Sequence, residues 1–269
     1  MKLIITYLII IGCFASVISC MPDPASDLKP ILDPSKLKYS VTQDPNYDNK
    51  VFLTSLSHEV SPLWNYVFGT SIKLKDTVII PFKGDFYIKY RGFGQGGSSL
   101  DSTKITVSQF DPTYFADPAW KALTNNSADG YTWKLVAVKA GDSKSTTYND
   151  WGDASWLGGV NMGDSVRFDL DKAFNYTRYT SGVSTKGSFI LDLNEVLPAS
   201  AYYNTPGKAL TINGKMPADD AGEMTTSNQN RFRIFKLSND TLILGQGGYY
   251  TSTAPTNTFS YWFWYIRTH

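Results

Sequence analysis

Asp85-Phe86-Tyr87-Ile88-Lys89-Tyr90-Arg91-Gly92-Phe93 is the stretch that decides the class of fold. In an extended chain successive side chains point to opposite faces. Phe86, Ile88 and Tyr90 therefore share one side, and Tyr87, Lys89 and Arg91 share the other. An apolar row backed by a polar one is the pattern of a half-buried strand. The same short alternation, bounded by Gly, Asn, Asp or Pro, recurs near 50–55, 77–82 and 104–110. It returns at 131–136, 165–170, 187–193, 209–214, 231–237, 241–245 and 260–267. These short segments predict an all-β protein of antiparallel sandwiches and not a series of βαβ units.

One segment departs from the pattern. Asp117-Pro118-Ala119-Trp120-Lys121-Ala122-Leu123 reads as a short helix, with Asp117 as N-cap and Pro118 where a missing N–H does no harm. The polar run from Thr124 to Gly130 then marks a boundary between a first domain, 39–125, and a second, 126–269. Within the second, Ser238-Asn239-Asp240 predicts a hairpin turn. The closing segment Ser260-Tyr261-Trp262-Phe263-Trp264-Tyr265-Ile266 is apolar on both faces. Such a strand lies between two layers or lends one face to a ligand.

The N-terminus carries a different signal. Met1-Lys2, an apolar run through Ile11 and the close Val17-Ile18-Ser19-Cys20 read as a secretory signal, 1–20. The four residues ending at Cys20 resemble the bacterial lipobox. That resemblance implies diacylation of Cys20 and a chain held on a membrane by its lipid, since each buried methylene adds about 0.8 kcal/mol. Residues 21–38, rich in Pro and Asp, read as a flexible tether. The chain has two cysteines, and Cys13 falls in the leader, so the mature protein is expected to hold neither a disulfide nor a cysteine zinc site. A net charge of +1 gives no electrostatic case for nucleic acid. The aromatic fraction of 14% is high, and much of it is Tyr and Trp, rings suited to binding surfaces.

Val41-Thr42-Gln43-Asp44-Pro45, Trp64-Asn65-Tyr66-Val67-Phe68-Gly69 and Phe82-Lys83-Gly84-Asp85-Phe86-Tyr87-Ile88 resemble the polycystic-kidney-disease (PKD) type of immunoglobulin-like domain. The Gly-Asp-Gly turn usual in that motif is absent. Further along stand Tyr131-Thr132-Trp133-Lys134-Leu135, the aromatic run from Tyr148 to Trp156, Gly187-Ser188-Phe189-Ile190-Leu191-Asp192 and the segment from Phe232 to Leu242. With the terminal aromatic strand, they resemble the sandwich domain of surface glycan-binding lipoproteins from Bacteroidetes polysaccharide-utilisation systems. The resemblance implies a PKD/immunoglobulin-like sandwich followed by a jelly-roll-like β-sandwich of the laminarinase and concanavalin kind. It also implies a non-catalytic, outer-membrane, outward-facing protein that binds a polysaccharide and serves an outer-membrane transporter and partner glycan-binding lipoproteins.

Residues with catalytic potential are sparse. The two histidines, His58 and His269, sit in no triad-like or metal-like context, and the three glutamates, Glu59, Glu195 and Glu223, are far apart. A retaining glycosidase needs two carboxylates about 5 Å apart. Asp169 and Asp171 alternate properly but lack a glutamate partner, and they read as a solvated strand end or turn; a structural calcium ion on loop carboxylates is the one cofactor reading. Gly92-Phe93-Gly94-Gln95-Gly96-Gly97 fits the G-x-G-x-x-G pattern, but another strand follows it instead of the helix a dinucleotide site requires, so it reads as a flexible inter-strand loop.

Sugar rings expose apolar C–H faces that stack on indole and phenol planes, with hydroxyls reaching for polar neighbours. Tyr148, Asn149, Asp150, Trp151, Asp153 and Trp156 supply both, in a glycine-broken segment hard to bury as a strand. Trp151 and Trp156 are expected to form the platform, Asp150 and Asp153 to bond hydroxyls, and Tyr148 to extend the stack. Tyr249 and Tyr250 are further ligand-binding candidates. The first domain is expected to be a spacer with its aromatics buried. A lipid-anchored glycoside hydrolase of the laminarinase-like fold and a protein-binding adhesin or scaffold are the alternative functions.

Overall fold

The computed structural model describes residues 30–141, 152–153, 161–197, 207–216, 230–251 and 254–268. It is an all-β protein, with one short α-helix among the described residues. The chain divides into two compact units. One comprises Met1–Thr42, Phe52–Thr77 and Tyr87–Lys104; the other comprises Gln43–Val51, Val78–Phe86 and Ile105–His269.

Seven strands precede the helix: β1 (Tyr39–Asp44), β2 (Tyr47–Ser55), β3 (Ser61–Tyr66), β4 (Gly69–Ser71), β5 (Lys75–Ile79), β6 (Gly84–Gly94) and β7 (Gly97–Val107). They form two sheets, ordered β1-β2-β5 and β4-β3-β6-β7. The core of the first unit is aromatic. Trp64 is fully buried, its ring 4.5 Å from that of Tyr90 and 5.9 Å from Tyr39, and its indole N–H donates to the Lys73 carbonyl at 3.0 Å. The Tyr90 hydroxyl, buried with it, meets Ser55 Oγ at 2.7 Å, so the polar tip of each ring is satisfied. The segment expected as a flexible glycine loop is instead a tight hairpin: β6 runs through Gly94, β7 begins at Gly97, and Gln95-Gly96 turns between them. Gly92 is glycine because of packing; a Cβ there would lie 2.8 Å from Val60 Cγ2 and 2.9 Å from Leu37 Cδ2.

The helix α1 (Pro118–Thr124) leads into nine strands: β8 (Tyr131–Gly141), β9 (Gly152–Asp153), β10 (Ser165–Asp169), β11 (Asn175–Thr180), β12 (Val183–Leu197), β13 (Gly207–Asn213), β14 (Arg231–Leu237), β15 (Thr241–Thr251) and β16 (Ala254–Arg267). From β10 to β16 each strand pairs antiparallel with the next. Then β16 pairs with β8, and β8 pairs with β10. The sheet therefore closes on itself as an up-and-down barrel of eight strands, with the two-residue β9 added beside β8. This corrects the expected jelly roll, which needs two sheets and long crossovers. Register shifts interrupt β12 between Asp192 and Val196, and β15 between Gly247 and Tyr249 and between Tyr250 and Thr251. Bulges of this kind bend long strands, and bending lets a twisted sheet meet its own first strand and lose its edges.

The barrel interior is a packed apolar core that includes Trp133, Phe168, Phe189, Leu210, Phe232 and Phe263, all fully buried or nearly so. On the outside Ser184, Lys186, Ser188 and Lys208 are exposed. A barrel facing lipid would have the reverse pattern. Helix α1 packs at the end where β10 stops and β11 starts. Asp117 caps it by accepting from the Ala119 N–H at 2.8 Å, and Asn125 ends it in the left-handed region at φ 60°. The Trp133 indole N–H donates to the Leu123 carbonyl at 3.2 Å, and Trp120 stacks on Phe174 with centroids 5.3 Å apart.

Candidate functional site

The register of β8, β15 and β16 places three of the sequence candidates, Asp153, Tyr249 and Tyr250. Asp153 pairs with Lys139, and Gly152 with Ala140, near the far end of β8. Beyond them Gly141 pairs with Ser260 of β16. On the other side of β16, Tyr249 pairs with Phe259 and Tyr250 with Thr258. Asp153, Tyr249 and Tyr250 thus belong to one end of the barrel, opposite the end that α1 and the 238–240 turn occupy. Their backbone positions alone are described. Tyr148, Asn149, Asp150, Trp151 and Trp156 lie outside the described residues, as does Cys20. Gly245-Gln246-Gly247-Gly248, whose composition suggests a turn, stays within β15, so the Tyr249-Tyr250 pair is carried to the rim by a strand.

Below that rim sits a polar group that sequence reasoning missed. Arg178 of β11 is buried inside the barrel and gives its Nε–H and Nη2–H to Asp164 Oδ2 at 3.0 and 2.6 Å, while Nη1 donates to the Met216 carbonyl at 2.9 Å. Tyr176, two residues earlier on the same face, donates to the Lys215 carbonyl at 2.9 Å. Tyr265 faces this pair from β16. Burial pushes its phenol well above its ordinary value, with Arg178 opposing and Asp164 reinforcing the shift, so it stays a neutral donor. Its hydroxyl and Asp164 Oδ1 have no hydrogen-bond partner among the described residues. Arg178 escaped notice because Asn175-Tyr176-Thr177-Arg178-Tyr179-Thr180 is polar enough to read as a loop. Its Tyr and Thr content was the one available strand signal.

Asp169 and Asp171 are placed by the turn after β10. Asp169 is buried rather than solvated. Its Oδ1 accepts from Asn175 Nδ2 at 2.7 Å and from the Asp171 N–H at 3.2 Å, and Arg167 Nε lies 3.1 Å from Oδ2. The carboxylate is engaged in holding the β10–β11 turn together. A polar recess of about 210 Å³ lies alongside, lined by Arg167, Asp169, Asp171, Asn175, Thr177 and Lys186 among others. Among the described residues no group of three His, Cys, Asp or Glu side chains could hold a metal ion. His58 is exposed in a turn.

The aromatics of the first half are not all buried, contrary to expectation. Trp64 and Tyr90 are, but Tyr87 is 59% exposed and Phe93 45%. Alternation buries one face of a strand and offers the other to solvent, and β6 carries rings on both. Compared with known proteins, the chain matches no family model and no curated sequence.

Proposed function

We propose that this chain is a non-catalytic lipoprotein of the outer membrane that faces the cell exterior. On this reading it binds a polysaccharide at the rim of its barrel and supplies it to an outer-membrane uptake system. The observation that carries the proposal is the convergence at that rim. Asp153, which closes the aromatic run of Tyr148, Asn149, Asp150 and Trp151 and precedes Trp156, is tied to the same barrel end as Tyr249 and Tyr250. Bulges interrupt β15 at that end, a device common next to binding sites. Strand order in the first half, three plus four, suits the PKD-type immunoglobulin-like sandwich that the sequence resembles. The lipid on Cys20 supplies the anchor; the expected tether 21–38 is shorter than its sequence suggests, because Pro34–Lys36 form a helical turn and Leu37 is buried in the first unit.

Affinity electrophoresis of the mature protein through gels holding a panel of polysaccharides tests this reading. Retardation by at least one glycan without release of reducing sugar is the expected result. Reducing-sugar release would favour the hydrolase alternative, and uniform mobility in every gel would remove the glycan reading altogether.

A further inference from the structure

The outward face of β3, β6 and β7 in the first unit has properties the rim does not. Along β6 the exposed positions are Asp85, Tyr87, Lys89, Arg91 and Phe93. On β3, Asn65 lies beside Lys89, Leu63 beside Arg91 and Ser61 beside Phe93. On β7, alternation turns Leu100 and Ser102 to the same side, since Ser99 and Ile105 are buried. Tyr87 to Phe93 spans about 20 Å at roughly 3.3 Å per residue.

Two features of this face point to a ligand. First, its rings are open. Tyr87, Phe93 and Leu100 are 59%, 45% and 45% exposed, and neither aromatic contacts another ring. Second, its charge is one-sided. Lys89 and Arg91 stand between the rings, and among the described residues neither is in an ion pair; Arg91 there reaches only Ser98 Oγ, at 3.5 Å. No Asp or Glu occupies the outward positions of β3, of β6 from Tyr87 to Phe93, or of β7 from Ser98 to Lys104. Asp85, on the same alternation of β6 just before Tyr87, accepts from Thr106 Oγ1 at 2.7 Å, and Asp101 of β7 belongs to the other alternation and accepts from the Ser102 N–H at 2.7 Å. Open rings in line with uncompensated cations match a chain that offers apolar ring faces and carboxylates in turn. Arg forks onto a carboxylate and Lys meets it as a point charge, while pyranose C–H faces lie on the phenol and phenyl planes. Two cations are too few for a nucleic-acid surface, which needs a broad basic patch.

We infer that this face is a second binding platform and that its ligand is an acidic, uronate-bearing polysaccharide. The inference rests on the premise of the proposed function, that the partner is a glycan, and adds both a site and a charge class. Polygalacturonate and its fully methyl-esterified form are the probes, because esterification removes the charge and leaves the sugar backbone unchanged. Titration of the mature chain with each is compared for wild type, Lys89→Gln/Arg91→Gln, Tyr87→Ala and Phe93→Ala, with thermal melting as a check on folding.

Wild type should bind polygalacturonate at least tenfold more tightly than the ester, and added salt should narrow the difference. The double charge variant should lose that preference. Each ring variant should weaken binding roughly tenfold or more. All four proteins should melt alike. Wild-type affinity in the double variant, equal affinity for acid and ester, or equal competition by duplex DNA would overturn the platform. If neutral glycans are still retained by every variant, the rim reading stands on its own. If wild type binds no glycan of either kind, both readings fall.

Discussion

Asp117 shows at the scale of one residue how a charge is used here to order the backbone. Its carboxylate accepts from the Ala119 N–H, and this bond is the main reason its pKa is held below 3.8; the Lys208 ammonium, 3.3 Å away, acts in the same direction. A carboxylate depressed on folding contributes stability that is complete above its unfolded value and is lost as pH falls through the lower, folded one. Asp117→Ala should therefore cost about 1 kcal/mol near neutrality. The gap between the two proteins should narrow in acid, as pH falls below the ordinary carboxylate range and the wild-type cap protonates. Denaturant unfolding of both near neutrality and in acid checks this; a gap of the same size in acid would contradict it. Arg178 presents the opposite case, a cation fully enclosed with Asp164. Replacing one member leaves the other buried and uncompensated, so Arg178→Met should cost roughly 3–5 kcal/mol. Adding Asp164→Leu to that variant should recover part of the loss. A double variant no more stable than Arg178→Met would show that the cost comes from packing and not from the stranded charge.

Among the elements, β14, β15 and β16 make the clearest packing argument. The Phe235 ring on β14 lies directly over Gly245 of β15 and stacks on Trp262 of β16, with centroids 3.9 Å apart and planes 7° from parallel. A Cβ at Gly245 would sit 2.0 Å from Phe235 Cε2. Gly245→Ala should push the ring off Trp262, shift tryptophan emission and destabilise the protein by about 1–3 kcal/mol. Unchanged emission and stability would mean that the ring has room to move. Strands like these were legible wherever alternation was strict: the expected 231–237 and the observed Arg231–Leu237 coincide, and the Asp117 cap lies where its sequence put it. Less legible were strands whose inward residues are polar, such as β11 with Arg178, and strands that run on through glycine, such as β15 past Gly245. The closing pair β8–β10 had no local signature at all. Which strands become neighbours depends on accumulated twist and bulges, and an alternation pattern carries neither.

For the whole molecule, the candidate site was legible as chemistry and not as geometry. The aromatic run from Tyr148 to Trp156 stands out in the sequence, whereas the sharing of one rim by Asp153, Tyr249 and Tyr250 follows only from the closed barrel, which brings the ends of β8, β15 and β16 together. The exposed rings of β6 were present in the first alternation, but their openness follows from what does not pack on them. The account as a whole depends on Trp151 and Trp156 meeting sugar. Removing a stacking ring typically costs 1–3 kcal/mol, about tenfold to a hundredfold in affinity, while emptying a core of a buried indole costs roughly 3–5 kcal/mol of stability. The decisive measurement is therefore paired: thermal melting, and titration with a neutral glycan that retards the wild type, on Trp151→Ala and Trp156→Ala. The account predicts unchanged melting and binding weakened by that factor in both. Variants that melt far lower, yet bind with wild-type affinity in their folded fraction, would contradict it.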